Sequence, residues 1–163
     1  EGAGKIVLPE PEALLTPASR MPGLDGQKMS KSYGNVIALR DEPEIVQKKV
    51  RTMPTDPARV RRTDPGDPEK CPVWQLHQVY SQDDVKAWVR EGCTSAGIGC
   101  IECKQPVIDG IVEELKPIQE RGREFAEDPN LVRNILAEGR EAARDVARET
   151  MDEVRKSMGL DYR

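Results

Sequence analysis

Lys28 and Lys31, with Ser30 between them and Ser32 after, put two ammonium groups and two hydroxyls on one short segment that runs on into Gly34 and Asn35. Such a set can meet a polyphosphate from a mobile loop, because ammonium and O–H donors match phosphate oxygens. When a nucleophile attacks the α-phosphate of ATP, negative charge grows on the departing pyrophosphate, and donors placed there lower the barrier. The competing reading of any lysine–serine pentamer is a plain exposed basic loop. The second chemical group is the cysteines. Cys71, Cys93, Cys100 and Cys103 are separated by gaps of 21, six and two residues, the last a Cys-x-x-Cys. A reducing compartment argues against structural disulfides, and four thiolates complete either a tetrahedral zinc site or a cubane iron–sulfur centre. Spacing does not separate the two metals. Gly92, Gly97 and Gly99 let the backbone curl around such a centre.

These residues need a scaffold, and the composition favours helices. Of 163 residues, 37% are hydrophobic, 33% charged and only 4% aromatic, a balance suited to amphipathic helices rather than to a strand-rich sandwich. The length is that of one domain, or of one domain with a fragment of another. The net charge of −4 hides a local excess: between Gln47 and Arg62 stand Lys48, Lys49, Arg51, Arg59, Arg61 and Arg62 against Asp56 alone. That stretch is able to face phosphates and equally able to be a solvated face. No apolar run approaches the roughly 20 residues that cross a bilayer, and no basic-then-apolar leader opens the chain, so the expected location is cytoplasmic. A start at Glu1-Gly2-Ala3-Gly4 without Met suggests that a longer polypeptide was cut here.

The first 26 residues are dense in proline and glycine, with Lys5-Ile6-Val7-Leu8 the only plausible short strand. Prolines lack an amide donor and fix φ, so this stretch reads as the trailing end of another domain plus a connecting loop. A helix is predicted with Asp41 as cap, Pro43 in its first turn, and Ile45, Val46, Lys49, Val50 and Met53 on one face, stopped by Pro54. The span 55–72 reads as a structured loop and 72–80 as a short helix. Ser81 with Asp84 resembles a capping box for a helix carrying Val85, Trp88 and Val89, and Gly92 stands where a left-handed C-terminal residue is wanted. A further helix is predicted from about Pro106, with Val107, Ile108, Ile111, Val112 and Leu115 inward and Pro117 kinking it rather than ending it. Asp128-Pro129 starts a long last helix that closes at Gly159, and Gly139 within it would admit a close neighbour. Trp74 and Trp88 sit among aliphatic residues, where core burial is the expectation, and His77 reads as structural or tRNA-facing.

Lys28-Met29-Ser30-Lys31-Ser32 matches the second signature of class I aminoacyl-tRNA synthetases, and five specified residues rarely coincide by chance in so short a chain. Several enzymes of that class carry it; the tail is more selective. Leu115-Lys116-Pro117-Ile118-Gln119-Glu120-Arg121, Leu136-Ala137-Glu138-Gly139, Ala142-Ala143-Arg144-Asp145-Val146-Ala147 and Met158-Gly159-Leu160 resemble the C-terminal helices of bacterial tryptophanyl-tRNA synthetases. The likeness runs from about Pro22 to the end, including Leu24-Asp25-Gly26-Gln27 ahead of the loop and Asp64-Pro65-Gly66-Asp67-Pro68 after it.

The resemblance implies a mainly α protein. Residues 41–163 would be a helical anticodon-binding bundle with the four-cysteine site, and residues 1–40 the end of a Rossmann-type α/β catalytic domain. It implies a ligase, dimeric in the manner of its family, that uses ATP and Mg2+ to activate tryptophan and transfer it to tRNA(Trp). Lys28, Met29, Ser30, Lys31 and Ser32 would contact ATP, with Lys31 stabilising the pyrophosphate and Lys28 assisting. For Cys71, Cys93, Cys100 and Cys103 it implies a 4Fe-4S cluster, zinc being the alternative, that holds helices and shapes a tRNA surface rather than moving electrons. Arg59, Arg61, Arg62, Arg121 and Arg123 are the candidates for the tRNA backbone, with Trp74 or His77 as stacking surfaces. The family's first nucleotide-binding motif, of His-x-Gly-His type, is absent, and the sole histidine, His77, has no neighbouring glycine. The tryptophan pocket and most of the ATP site are therefore expected upstream, and the chain alone is expected not to activate tryptophan. The rival reading is a non-catalytic tRNA-binding or metal-stabilised structural module.

Overall fold

The computed structural model describes residues 6–16 and 18–160. They form α1 (Pro43–Thr52), α2 (Pro72–Tyr80), α3 (Asp83–Thr94), α4 (Cys100–Glu127) and α5 (Pro129–Ser157), with single 3-10 turns at Lys31–Tyr33 and Pro68–Lys70. The mainly helical class is as expected. Among the described residues there is no strand, only an isolated antiparallel bridge between Pro22 and Lys28. The strand expected at 5–8 does not form over Ile6–Leu8, where Pro9 and Pro11 follow at once and deny the ladder its donors; Lys5 lies outside the described residues. The chain divides into two compact units, Leu15–Arg121 and Glu1–Leu14 with Gly122–Arg163.

In the first unit, Val46, Val50 and Met53 at α1 pack with Val73 and Leu76 of α2 and with Val107, Ile108, Ile111 and Leu115 of α4. Burying a side chain of this size is worth about 1.5–3 kcal/mol, so this cluster dominates the unit. Met21, Leu24 and Ile37 pack against the same cluster. The segment carrying the lysine–serine loop is therefore anchored to the helical core on both sides.

Local partners decide where each helix begins. The cap of α1 is Glu42, not Asp41. The Asp41 carboxylate instead accepts the Ala38 N–H at 2.8 Å and the Lys49 ammonium, which also donates to the Val36 carbonyl at 3.0 Å. Burial works against the charged form of Asp41, but the Lys49 and Ala38 hydrogen bonds outweigh it and hold the carboxyl below its ordinary value. A carboxyl depressed in the fold stabilises fully above its unfolded pKa, about 4, and that contribution is lost as pH falls through the folded value. Asp41→Asn is expected to flatten this part of the acid dependence while costing no more than about 1 kcal/mol at neutral pH; urea unfolding at pH 7 and pH 3 measures both.

Ser81 does not form the expected capping box: its Oγ lies 2.8 Å from His77 Nδ1, and α3 is capped by Gln82 without a side-chain bond. Gly92 is inside α3 rather than left-handed beyond it, because a Cβ there would come within 2.7 Å of the Ile98 side chain. The left-handed residue is Ala96, at φ 57°. α4 starts at Cys100, ahead of the expected Pro106, and runs through both Pro106 and Pro117.

In the second unit, α5 begins as its sequence dictates. Asp128 Oδ1 accepts the N–H groups of Asn130 and Leu131 at 2.9 and 3.1 Å. Its end is a paired motif: Leu160 N–H donates to Arg155 O at 2.9 Å and Gly159 N–H to Lys156 O at 3.2 Å, with Gly159 at φ 70°. A Cβ on Gly139 would meet nothing within 4 Å, so the close neighbour expected there is not found among the described residues.

Candidate ATP loop and four-cysteine site

Lys31–Tyr33 form one 3-10 turn, closed by Gly34 at φ 68°, whose N–H donates to Lys31 O at 3.2 Å. A Cβ on Gly34 would meet nothing within 4 Å, so glycine is required here by backbone conformation and not by space. Lys28, Lys31, Ser32 and Tyr33 are exposed, whereas Met29 and Ser30 are half-buried. The backbone of Ser30 is held from below by Asn35, whose Oδ1 accepts its N–H at 2.8 Å. Among the described residues, no hydrogen bond or ion pair engages the ammonium of Lys28 or Lys31. Both donors are unspent, as a group must be if it is to act only on charge that develops later.

The four cysteines come from three helix ends. Cys71 caps α2, Cys93 lies in the last turn of α3, Cys100 opens α4 and Cys103 follows one turn on. All four line one enclosed space together with Arg59 and Lys104. The loop crossing it requires Gly66, where a Cβ would lie 2.7 Å from Cys93 Sγ. Burial pushes up the thiols of Cys71 and Cys93, and burial followed by the neighbouring sulfurs raises Cys103 to about 12. Thiols so held are poor nucleophiles, which argues against thiol catalysis.

As a donor set, four thiols lining one space have the chemistry of a thiolate-held metal group, zinc or iron–sulfur. Among the described residues, no three of His, Cys, Asp or Glu come together closely enough to hold a metal ion. Zinc on four thiolates at about 2.3 Å would draw the sulfurs to within about 4 Å of each other. A zinc or iron–sulfur centre held by four thiolates carries net negative charge. Two cations on the wall answer its charge, and Arg59 Nε is buried with no hydrogen-bond partner, a donor left over beside the sulfurs. Lys104, 4% exposed, donates from Nζ to Arg51 O at 2.8 Å and Met53 O at 2.6 Å, tying α4 to the end of α1; burial pushes its ammonium down. The sequence reading missed Lys104, yet its register with Val107, Ile108 and Ile111 marks it as inward-facing.

The arginines separate into two roles. Arg59 reaches the wall of the groove that Arg61 and Arg62 line but spends its guanidinium inward: it is 8% exposed and donates to Arg62 O at 3.1 Å and Ile98 O at 2.5 Å, with Nη1 3.9 Å from Cys93 Sγ. It is an internal strut. Arg61 and Arg62 do face solvent, where with Arg51 and Gln105 they line an open groove of about 840 Å³. Arg51 belongs to the basic run but was not singled out from sequence. Arg121 is exposed on α4 and is not among the groove's walls, and Arg123 is exposed in the other unit. Neither proposed stacking surface is available. His77 is fully buried, with Nε2 3.5 Å from Cys103 Sγ, and burial lowers it to about 4, leaving it neutral. Trp74 is 7% exposed beneath the Arg90 guanidinium, 4.9 Å from its ring. Trp88, expected in the core, is 39% exposed.

Comparison with known proteins bears on this arrangement. The family described as tRNA synthetases class I (W and Y) matches residues 2–116. The tryptophan–tRNA ligase of Ralstonia nicotianae is 68% identical over 162 residues, covering 99% of this chain and 40% of the relative. That of Thermotoga maritima is 48% identical over 157 residues, 96% of this chain and 48% of its own length. The crystal structure of tryptophanyl-tRNA synthetase from Campylobacter jejuni complexed with ADP and tryptophane superposes with a TM-score of 0.68 at 26% identity, over 86% of this chain and 44% of that one. The chain thus spans less than half the length of these relatives. With the signature loop exposed on its helical base and a family match across most of the sequence, the chain belongs to the class I tRNA synthetases of the tryptophan and tyrosine group.

Proposed function

We propose that this chain is part of a tryptophan–tRNA ligase, which activates tryptophan with ATP and Mg2+ and transfers it to tRNA(Trp). The observation that carries the reading is the Lys28–Ser32 loop, held at its base and offering two unspent ammonium groups. Identity of 68% to a tryptophan–tRNA ligase, over nearly the whole chain, supports tryptophan as the substrate. In this reading residues 1–40 end the catalytic domain and residues 41–163 bind tRNA. The intact protein is expected to exchange pyrophosphate into ATP in the presence of tryptophan but not tyrosine, and the 163-residue chain alone to give no exchange. Exchange by the short chain, or exchange driven by tyrosine, would overturn it. A cytoplasmic homodimer belongs to the same reading; no described helix is long and apolar enough to cross a membrane, and sedimentation of the intact protein tests the dimer.

The groove lined by Arg51, Arg61 and Arg62 is the surface proposed for the tRNA backbone. Arg61→Ala and Arg62→Ala are each expected to lower the slope of log affinity against log salt by about 0.7 to 1. Filter binding of tRNA at several salt concentrations reads this, and Arg59→Lys serves as the contrast, disturbing folding before salt dependence. Cys71, Cys93, Cys100 and Cys103 are proposed to hold a 4Fe-4S cluster as thiolates, supported by the space they share and the two cations on its wall. When bound, such a group would cross-link the helix ends. Zinc is the outcome that metal analysis would return if this assignment fails.

A further inference from the structure

Asn35 is 4% exposed, yet every hydrogen-bonding position of its amide is directed at the lysine–serine loop or at the turn before it. Oδ1 accepts the Ser30 N–H at 2.8 Å, and Nδ2 donates to Lys28 O at 3.2 Å and to Asp25 Oδ1 at 2.7 Å. The Asn35 carbonyl accepts the Leu24 N–H at 2.9 Å. Asp25 Oδ1 also accepts the Gln27 N–H at 3.0 Å. Between the two clipped residues, Met29 N–H donates to Met21 O at 2.9 Å. The backbone at 28–30 is thus tied at three consecutive residues. Past Ser30 the ties stop: residues 31–34 form one exposed turn ending at the left-handed Gly34. The neighbouring Gly23 is explained by the same side chain, since a Cβ there would lie 2.3 Å from Asn35 Nδ2.

We propose that Asn35 and Asp25 form a latch that fixes the root of the lysine–serine loop, confining its movement to residues 31–34, and that Asn35 is thereby a positioning residue for Lys31. The inference rests on reading that loop as ATP-contacting. In adenylate formation a carboxylate oxygen of the amino acid forms a bond to the α-phosphorus, and the bond from that phosphorus to the pyrophosphate oxygen breaks, its electron pair leaving with pyrophosphate. The latch makes none of these bonds. It shortens the search that brings one ammonium to the departing charge, and a donor pre-placed for the transition state is worth more than one that must be ordered during it.

The reciprocal exchange of the two side chains tests this in the intact enzyme. Asn35→Asp alone sets two carboxylates against each other across a 2.7 Å contact and is expected to lower kcat for pyrophosphate exchange by about tenfold to a hundredfold, with KM for tryptophan unchanged. It is also expected to speed tryptic cleavage after Lys28. Adding Asp25→Asn removes that repulsion, because the new amide at 25 can accept from Gln27 N–H and donate across the latch, but a carboxylate at 35 cannot donate to Lys28 O; kcat and the cleavage pattern are then expected to recover only in part. Asp25→Ala, at an exposed position, gives the same loosening without a buried charge, should the single Asn35 variant fail to fold. The latch is overturned if cleavage after Lys28 is unchanged in Asn35→Asp and Asp25→Ala. Lys31→Ala runs beside them: full activity in that variant would sink the ATP-loop reading instead, and the cleavage pattern would still decide the latch.

Discussion

Replacing Lys31 by alanine in the intact synthetase is expected to slow adenylate formation by about a hundredfold to a thousandfold, the loss typical of one donor removed from a developing oxyanion. The structure gives the reason for so large a number. Among the described residues the Lys31 ammonium has no partner, so its removal breaks nothing in the resting fold. All of its value is realised when negative charge builds on pyrophosphate, and such a group lowers kcat and kcat/KM together when it is deleted. Lys28 is tied through its backbone to Asn35 and is expected to contribute less, about tenfold, by reaching from a fixed root. Single-turnover adenylate formation at saturating tryptophan separates the two variants. A Lys28→Ala, Lys31→Ala enzyme of normal speed would leave the loop without a role.

Cys100→Ser is expected to empty the four-thiolate centre, with loss of visible absorption, of protein-bound iron and of acid-labile sulfide. The helical unit should melt more than about 10 °C lower, because a bound metal group is a large part of the folding free energy of a small domain. Burial already holds three of these thiols in the neutral form when nothing draws off their protons. A colourless protein with one zinc per chain, or an iron-bearing protein whose melting does not respond to Cys100→Ser, would refute the iron–sulfur assignment.

Where backbone chemistry alone sets an element, the sequence was enough. Pro72 at the first helical position bounds α2, and Asp128-Pro129 and Gly159 bound α5, because caps and left-handed ends are satisfied by neighbours along the chain. The loop was legible for a similar reason, as a short motif recognisable from its own five residues. Elements whose ends are decided by distant partners were not. Pro106 looked like a helix start, but it lies one turn past Cys103, and the turn ahead of it is anchored through Lys104 to two carbonyls at the end of α1. Ser81 had the spacing of a cap and spent its hydroxyl on His77 instead. Arg59 looked like its neighbours Arg61 and Arg62; only the fold shows that its guanidinium turns inward to Ile98 while theirs stay exposed. Asn35 was read as part of a turn, and nothing in its spacing announced that its amide holds the loop.

All four sulfurs lie within the single stretch Cys71–Cys103, and the whole of α5 follows them. A chain made from its amino end therefore displays the complete ligand set before its final helix has been synthesised. In the proposed iron–sulfur reading metal delivery can precede the arrival of the tail, so a truncation after α4 would still acquire colour, whereas a stall inside the Cys93–Cys100 interval would leave two orphan thiols and no means of closing the cage.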